Sequence, residues 1–274
     1  MLEIPETAVL ANQINQTIAR KQIANVLAQQ SPHKFAWFSG NPQNYHNLLT
    51  GKTIIGAVAY AGQLEIEAGD MTLVFCDGVN LRFYPAGAEK PAKHQLLITF
   101  NDESALCATI AMYGGLWCLP KGTNDNPYYL AARDKPSPLT DAFDREYFEQ
   151  LVVNSSGKLS LKAFLATDQR IPGLGNGVLQ DILYNAALHP KKKLGSLNQE
   201  QKDRLFQSIK TTLRDMLAGG GRDVENDLLG NPGSYVTRMS RNTAGKPCTQ
   251  CGSIIQKEAY LGGSVYICST CQVL

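Results

Sequence analysis

The closing segment, residues 246–272, reads KPCTQCGSIIQKEAYLGGSVYICSTCQ and carries two CxxC pairs, Cys248/Cys251 and Cys268/Cys271. The 16 residues between the pairs, 252–267, give the spacing of ribbon-type zinc sites. Four thiolates complete the closed tetrahedron of a structural metal and leave no open position for catalysis. The segment therefore predicts one structural Zn²⁺ ion, with buried or disulfide-linked cysteines as the alternative.

The residues between the two pairs predict a β-hairpin, because apolar and aromatic positions lie on either side of Gly262-Gly263. A segment this small cannot bury a core of its own, so its folding is expected to depend on the metal. The chain has seven cysteines, and an odd number argues against a disulfide framework.

A glycine-rich turn lies upstream of this segment, where residues 170–177 read RIPGLGNG. Pro172 ends a preceding helix, and the glycines permit a tight turn and close approach of another backbone. Asn176 is expected to cap the next helix, whose N–H groups would then face an anion such as phosphate. A plain helix–helix turn explains this segment equally well. A nucleotide loop is disfavoured, because such a loop follows a strand.

Hydrophobic periodicity divides the rest of the chain into three parts. A helix over residues 6–18 and a strand near residues 23–26 open it. Alternating patterns then predict an antiparallel sandwich or barrel-like domain, from runs at 53–58, 64–67, 71–76, 80–84, 95–100 and 105–112. Residues 121–139 have the composition of a connector. Helical periodicity returns at 143–151, 161–167, 177–188 and 198–217. We therefore expect domains at 1–135, 136–235 and 236–274.

The composition is that of an ordinary globular protein, with 274 residues, 43% hydrophobic residues and a formal net charge of +2. Residues 158–210 form a locally basic segment. No apolar run approaches the roughly 18 residues needed to span a bilayer. Glu3 and Glu6 stand where a signal segment would be basic and then apolar. These features predict a cytoplasmic protein with no membrane partner.

Taken in order, these features resemble the formamidopyrimidine-DNA glycosylase and endonuclease VIII family over nearly the whole chain. The resemblance rests on MLEIPE at residues 1–6, GLGN at 173–176, LHP at 188–190 and KPC at 246–248. It implies an α+β fold with an N-terminal β-sandwich flanked by helices, a helical domain with a helix-two-turn-helix, and a terminal four-cysteine zinc finger. It also implies a monomer that binds bent duplex DNA with a damaged base or abasic site, the damaged nucleotide being flipped out.

The resemblance implies site residues as well. Asn176 and Gly175 in the turn would grip phosphates beside the lesion, and the basic residues Lys162, Arg170 and Arg241 would add contacts to DNA. The Gly-rich stretch 219–233 is expected to be a mobile linker that helps to enclose the flipped base, with Arg222 as a candidate contact.

The catalytic end departs from the family pattern. Family members begin, after removal of Met, with Pro-Glu, and the proline amine attacks C1′ of the damaged nucleotide. Leu2 occupies the proline position here, and a bulky second residue should preserve Met1, whose amine is then a candidate nucleophile. Glu3 matches the family's catalytic acid and Glu6 another acid of its N-terminal motif. A frayed Met1 and a Glu3 that only stabilises the helix dipole are the alternatives.

Other family positions are also altered. The phosphate-binding lysine of the sandwich falls near Gly62 or Gln63, and the finger arginine falls at Gly263. The side chains that fill the hole left by the flipped base are changed too, with the Met position at Val79, the Arg near Ala111 or Met112, and the Phe at Tyr113. Tyr113 could wedge into a base step, or it could be an ordinary core tyrosine.

Three functions remain open at this level. The first is a DNA glycosylase of base-excision repair, with or without lyase activity on abasic sites. The second is a non-catalytic damaged-DNA-binding protein that has lost the family's nucleophile. The third is a zinc-stabilised protein-interaction module unrelated to DNA.

Overall fold

The computed structural model describes residues 1–274 and divides into two compact units. The first comprises Met1–Arg133 and Glu225–Gly233, and the second comprises Asp134–Val224 and Ser234–Leu274. The finger thus belongs to the helical unit and does not form a third one. None of the helices combines the length and the apolar character that a bilayer crossing requires.

The first unit is built on one seven-stranded sheet. Its helices are α1 (Ile4–Thr17), α2 (Tyr45–Leu49) and α3 (Pro127–Asp134). Its strands are β1 (Ile23–Ala28), β2 (Ala36–Phe38), β3 (Ile54–Tyr60), β4 (Gln63–Ala68), β5 (Met71–Tyr84), β6 (Leu96–Phe100) and β7 (Ala105–Pro120). The hydrogen-bonded order is β1-β6-β7-β5-β4-β3, and β2 lies parallel on β7.

Strands β5 and β7 are longer than the sequence pattern predicts, because their ladder continues through a bulge between Asp77 and Val79. Before the bulge, residues 71–77 pair with 114–120, and after it residues 79–84 pair with 105–110. The bulge divides the sheet into a β3–β4 half and a β1–β6 half, whose buried side chains form one core. This arrangement confirms the predicted N-terminal β-sandwich.

Helix α1 covers this core and begins two residues before the predicted start. Pro5 lies in its first turn, where a missing N–H costs no hydrogen bond. Ile14 and Ile18 are fully buried against the sheet. Burying each such side chain contributes about 1.5–3 kcal/mol.

The predicted connector 121–139 contains helix α3, which corrects that expectation. The side chain of Asn126 accepts the N–H of Tyr128, and Pro127 begins the helix. Tyr129 is then buried and donates to Glu65 at 2.5 Å. An Asn followed by Pro can start a helix as well as a turn, and the packing of Tyr129 decides between them here.

The second unit is helical with a small hairpin, as predicted. Its elements are α4 (Arg145–Val153), α5 (Leu161–Ala166), α6 (Val178–Asn185), α7 (Gln199–Ala218), β8 (Gln256–Tyr260) and β9 (Gly263–Ile267). A capping box of Asn198 and Gln201 starts α7. The Gly-rich turn joins α5 to α6, and Gly173 in it has a φ of +71°, which favours glycine.

Candidate active site and nucleic-acid interface

The first residues of the chain are held against the sheet. The N–H of Leu2 donates to the carbonyl of Asp77 at 2.6 Å, and the Leu2 side chain is buried. The ammonium of Met1 forms an ion pair with Glu225, with 2.7 Å between its nitrogen and Oε2. Glu3 occupies the N-cap position of α1 and is 2% exposed. The amine and the Glu3 carboxyl therefore lie two residues apart on an ordered segment.

The bulge in β5 supplies the anchor for this segment. Asp77 has a φ of +59°, a left-handed conformation that costs a non-glycine residue about 1–3 kcal/mol. At the neighbouring Gly78, an added β carbon would lie 2.6 Å from the carbonyl oxygen of Tyr113. Burial raises the pKa of Tyr113, and the negative charges of Asp77 and Glu3 raise it further. The N-terminus is therefore anchored at a strained residue, next to a close backbone contact between Gly78 and Tyr113. The carboxyl groups of Asp77 and Glu3 lie in the same place.

The segment Glu225–Gly233 brings its carboxylate to the amine from the far end of the chain. Leu228 is fully buried in the core of the first unit, and its carbonyl accepts the N–H of Phe83 at 2.8 Å. The side chain of Gln13 accepts the N–H of Leu228 at 2.9 Å and donates to Asp227 at 2.8 Å. This part of the predicted mobile linker is therefore anchored.

Tyr113 lies at the surface and is not a core residue, which excludes the alternative of an ordinary core tyrosine. It is 36% exposed, Met112 beside it is 65% exposed, and the ring of Trp37 has its centroid 5.8 Å away. Val79, assigned to another hole-filling position, is 1% exposed and belongs to the core. Val79 therefore cannot enter a base stack without leaving that core.

In the second unit, Lys162 and Asn176 converge at Gly263. The Lys162 ammonium donates to the carbonyl of Tyr260 at 2.5 Å, and the Asn176 amide donates to the carbonyl of Ser264 at 3.1 Å. A β carbon built on Gly263 would lie 3.4 Å from Lys162 Nζ and 3.5 Å from Asn176 Cγ. Desolvation lowers the pKa of Lys162. A cation and an amide donor thus lie where the resemblance expects the finger arginine.

The capping position of α6 is occupied by Gly177, so Asn176 lies one residue before it. Gln180, one turn into α6, donates to the carbonyl of Asn176 at 3.0 Å and to that of Ser264 at 3.1 Å. Gly175 is half-buried in the turn, and its carbonyl accepts the N–H of Leu179. The turn is therefore fixed both to its own helix and to the finger hairpin.

The predicted arginines differ in their surroundings. Arg170 is used inside its own turn, where it donates to Thr167 and forms an ion pair with Asp168 at 2.6 Å. Arg222 is 2% exposed, so a contact with a flipped base would require it to leave this environment. Arg241 is exposed. Their contacts with DNA stay predictions.

The four terminal cysteines come together, with their sulfur atoms all within 4.8 Å of one another. The Cys248–Cys271 and Cys251–Cys268 sulfur distances are 3.8 and 3.4 Å, and every cysteine in the chain is free. Tetrahedral zinc with Zn–S bonds of about 2.3 Å requires sulfur separations of about 3.8 Å. Hydrogen bonds from Ser253 lower the pKa of Cys251 to about 6. The cluster can hold a metal ion, and its geometry fits zinc.

Glu225, Asp77 and Trp37 were not identified from the sequence. Glu225 lies in a stretch whose glycines indicate a linker, and its ion pair with Met1 joins residues 224 positions apart. Asp77 could have been suspected from its place before Gly78, because Asp-Gly is a turn or bulge signal. Trp37 lies in a three-residue strand that is too short for any periodicity.

Comparisons with known proteins agree with this architecture. Residues 135–226 match the model of the formamidopyrimidine-DNA glycosylase H2TH domain. The formamidopyrimidine-DNA glycosylase of Lactococcus lactis subsp. lactis strain IL1403 is 27% identical over 277 residues, which cover 99% of each chain. That of Geotalea uraniireducens strain Rf4 is 29% identical over 288 residues, which cover 99% of this chain and 100% of the relative.

Solved structures share the fold. The Lactococcus lactis protein in complex with DNA containing an abasic site superposes with a TM-score of 0.82 at 24% identity, covering 98% of this chain and 99% of that one. A mutant form of the same protein in complex with Fapy-dG DNA gives 0.84 at 24% identity, covering 99% and 100%. The chain therefore contains the H2TH domain of formamidopyrimidine-DNA glycosylases and is similar to these proteins along nearly its whole length, in sequence and in fold.

Proposed function

We propose that the protein recognises a damaged base in duplex DNA and removes it as a base-excision DNA glycosylase. The observation that carries the proposal is the ordered N-terminus, where an amine and a buried carboxyl group lie together on the sandwich. The substrate class follows the relatives, since the Lactococcus lactis protein is described in complexes with abasic-site and Fapy-dG DNA.

In the proposed reaction the Met1 amine is the nucleophile. Its lone pair forms a bond to C1′ of the flipped nucleotide, and the C1′–base bond breaks as one ammonium proton leaves with the base. The C1′–O4′ bond then breaks as the nitrogen lone pair forms a double bond to C1′, and O4′ takes a proton that Glu3 passes from solvent, so the nitrogen keeps its last proton and a protonated imine joins Met1 to C1′. Glu3 is proposed to carry protons to the departing groups. Glu6, buried in the first turn of α1, supports this segment.

Lys162 and Asn176 are proposed to bind phosphates of the duplex, with Arg241 as an additional cation. Their N–H groups already converge at Gly263, and such contacts position DNA without reading its sequence. The metal is proposed to be zinc in a structural role, held by Cys248, Cys251, Cys268 and Cys271. We also propose a monomer that acts in the cytoplasm.

Two measurements test the function. The first is affinity for a duplex carrying a formamidopyrimidine base and for the matched undamaged duplex, at several salt concentrations. The second is release of the damaged base, with borohydride trapping on abasic duplex and mass spectrometry of the cross-linked peptide. We expect base release and an adduct on Met1.

Base release without an adduct would mean that an activated water, and not the Met1 amine, attacks C1′. The protein would still be a glycosylase. Tight, lesion-selective binding without base release would identify a non-catalytic damage-binding protein. Failure to bind any duplex at low salt would refute the proposal as a whole.

A further inference from the structure

Four exposed apolar side chains lie around one edge of the first unit. Phe35 and Trp37 are each 47% exposed, Met112 is 65% exposed and Tyr113 is 36% exposed. They come together because β2 pairs in parallel with β7, with Trp37 opposite Gly115, and because Gly114 donates its N–H to Phe35. We name Phe35, Trp37, Met112 and Tyr113 the aromatic edge.

The rings of Trp37 and Tyr113 form the centre of this edge. Their centroids are 5.8 Å apart with an interplanar angle of 41°, so the two rings touch without covering each other's outer faces. An exposed indole face next to a phenol offers the flat apolar surface on which nucleic-acid bases stack. Single exposed apolar residues are ordinary, but two adjacent aromatic rings rimmed by Phe35 and Met112 form a patch.

The backbone beneath the rings is rigid. A β carbon added to Gly114 would lie 2.7 Å from Val79, and one added to Gly115 would lie 2.8 Å from the sulfur of Cys76. These close approaches fix the β7 backbone against β5 on both sides of the bulge. The edge is therefore ordered before a partner arrives, which lowers the entropy cost of binding.

The cation Lys34, at the Phe35 end of the edge, favours a nucleic-acid phosphate there over an apolar protein surface. The Lys34 ammonium lies 5.4 Å from the centroid of the Phe35 ring, at the rim of the patch. A nucleotide could therefore contact both features at once, with its base stacked on the aromatic rings and its phosphate bound by the Lys34 ammonium. The edge is also continuous with the candidate site, because the carbonyl of Tyr113 lies against Gly78, next to Asp77, whose carbonyl accepts the N–H of Leu2.

We propose that Trp37 and Tyr113 together form a stacking platform for a DNA base that is unstacked at the lesion, with Lys34 binding the adjoining phosphate. The proposal rests on the proposed function and deepens it, because it identifies Trp37 as a further DNA-binding residue. Tyr113 alone would wedge at one step, whereas the pair offers a surface wide enough to hold a displaced base.

Tryptophan fluorescence provides a direct test, since the chain has two tryptophans, of which Trp37 is 47% exposed, whereas the ring of Trp117 lies over Gly115 and is less exposed. In Trp117→Phe the emission comes from Trp37 alone, and in Trp37→Phe it comes from Trp117. We expect abasic-site duplex to quench the Trp37 emission in a saturable manner and to quench the less exposed Trp117 to a smaller extent. Unchanged Trp37 emission at saturating duplex would overturn the platform.

Affinity provides the second readout. We expect Trp37→Ala to raise the Kd for abasic-site duplex about tenfold, with a smaller effect on intact duplex, and Trp37→Phe to restore most of the affinity. Ile55→Ala, which removes a 56% exposed apolar side chain from β3, is the matched control and should leave both values unchanged. Equal effects of Trp37→Ala and Ile55→Ala would overturn the proposal and leave the patch to a protein partner.

The two proposals fail in different ways. Lesion-selective binding that is insensitive to Trp37 overturns only the platform. No binding of any duplex by the wild-type protein overturns the proposed function and the platform with it.

Discussion

The hydroxyl of Tyr184 in α6 lies 3.1 Å from the sulfur of Cys248, so the helix that follows the Gly-rich turn touches the first cysteine pair. Burial, and then the neighbouring Cys248, raises the pKa of Tyr184 to about 12. The hydroxyl therefore keeps its proton near neutral pH and can donate it to a thiolate. Partners of this kind orient metal ligands and tune their basicity.

Tyr184→Phe should weaken metal retention without unfolding the helical unit. The substitution removes only the hydroxyl, and losing such a partner costs about tenfold or more in metal affinity. The measurement is the rate of zinc release to a colorimetric chelator. Tyr147→Phe in α4 is the control, and equal release rates in the two variants would show that the Tyr184 contact has no effect on the metal.

Removing the metal should unfold the finger before the rest of its unit. Its core is small: Met239, Cys248, Ile255 and Cys268 pack with Tyr184. Without the metal, nothing links the two cysteine-bearing turns. The small apolar surface that this core buries cannot by itself offset the conformational entropy lost when the segment is ordered. Hydrogen exchange after chelation should rise over residues 246–272 while α7 stays protected. Protection that persists after verified metal loss would contradict this expectation.

The sequence predicted those parts that depend on local patterns. The cysteine spacing located the metal cluster, and helical periodicity located α4 to α7 within a few residues. The bulge at Asp77 was not predicted, because the alternating pattern breaks there and suggests two strands in place of one. The ion pair of Met1 with Glu225 was missed because it depends on where Leu228 packs, which is a tertiary choice.

Asn176→Ala should weaken binding to damaged and undamaged duplexes by the same factor. The side chain fixes the turn to the carbonyl of Ser264 and lies where a phosphate is proposed to bind, and phosphate contacts carry no base information. Equilibrium titrations of both duplexes check this, with Asn242→Ala as the control. A loss confined to the lesion-bearing duplex would assign Asn176 to base recognition instead.

Lys162→Met should make duplex binding depend less steeply on salt. The slope of log K against log salt concentration should become shallower by about one, because one phosphate contact is lost. Lys158→Met, which removes an exposed lysine just before α5, should leave the slope unchanged.

A β carbon at Gly263 makes ordinary contacts with Lys162 and Asn176, so Gly263→Arg should be tolerated. Adding Gly263→Arg to Lys162→Met should restore the slope of the wild-type protein. A slope that stays shallow would mean that the new arginine does not bind the phosphate that Lys162 is proposed to bind.

Glu225→Gln should slow borohydride trapping on abasic duplex by about a hundredfold while leaving the Kd nearly unchanged. The ammonium of Met1 must lose a proton before its lone pair can attack, and Glu225 lies 2.7 Å away, within reach to accept that proton. Glutamine keeps the shape of the side chain but cannot take the proton. The control is Glu67→Gln, since Glu67 also pairs with an ammonium and its side chain is 28% exposed against 27% for Glu225. Trapping as fast as in the wild type would mean that Glu225 only neutralises the amine, whereas a parallel loss of affinity and thermal stability would mean that it only anchors the segment carrying Leu228.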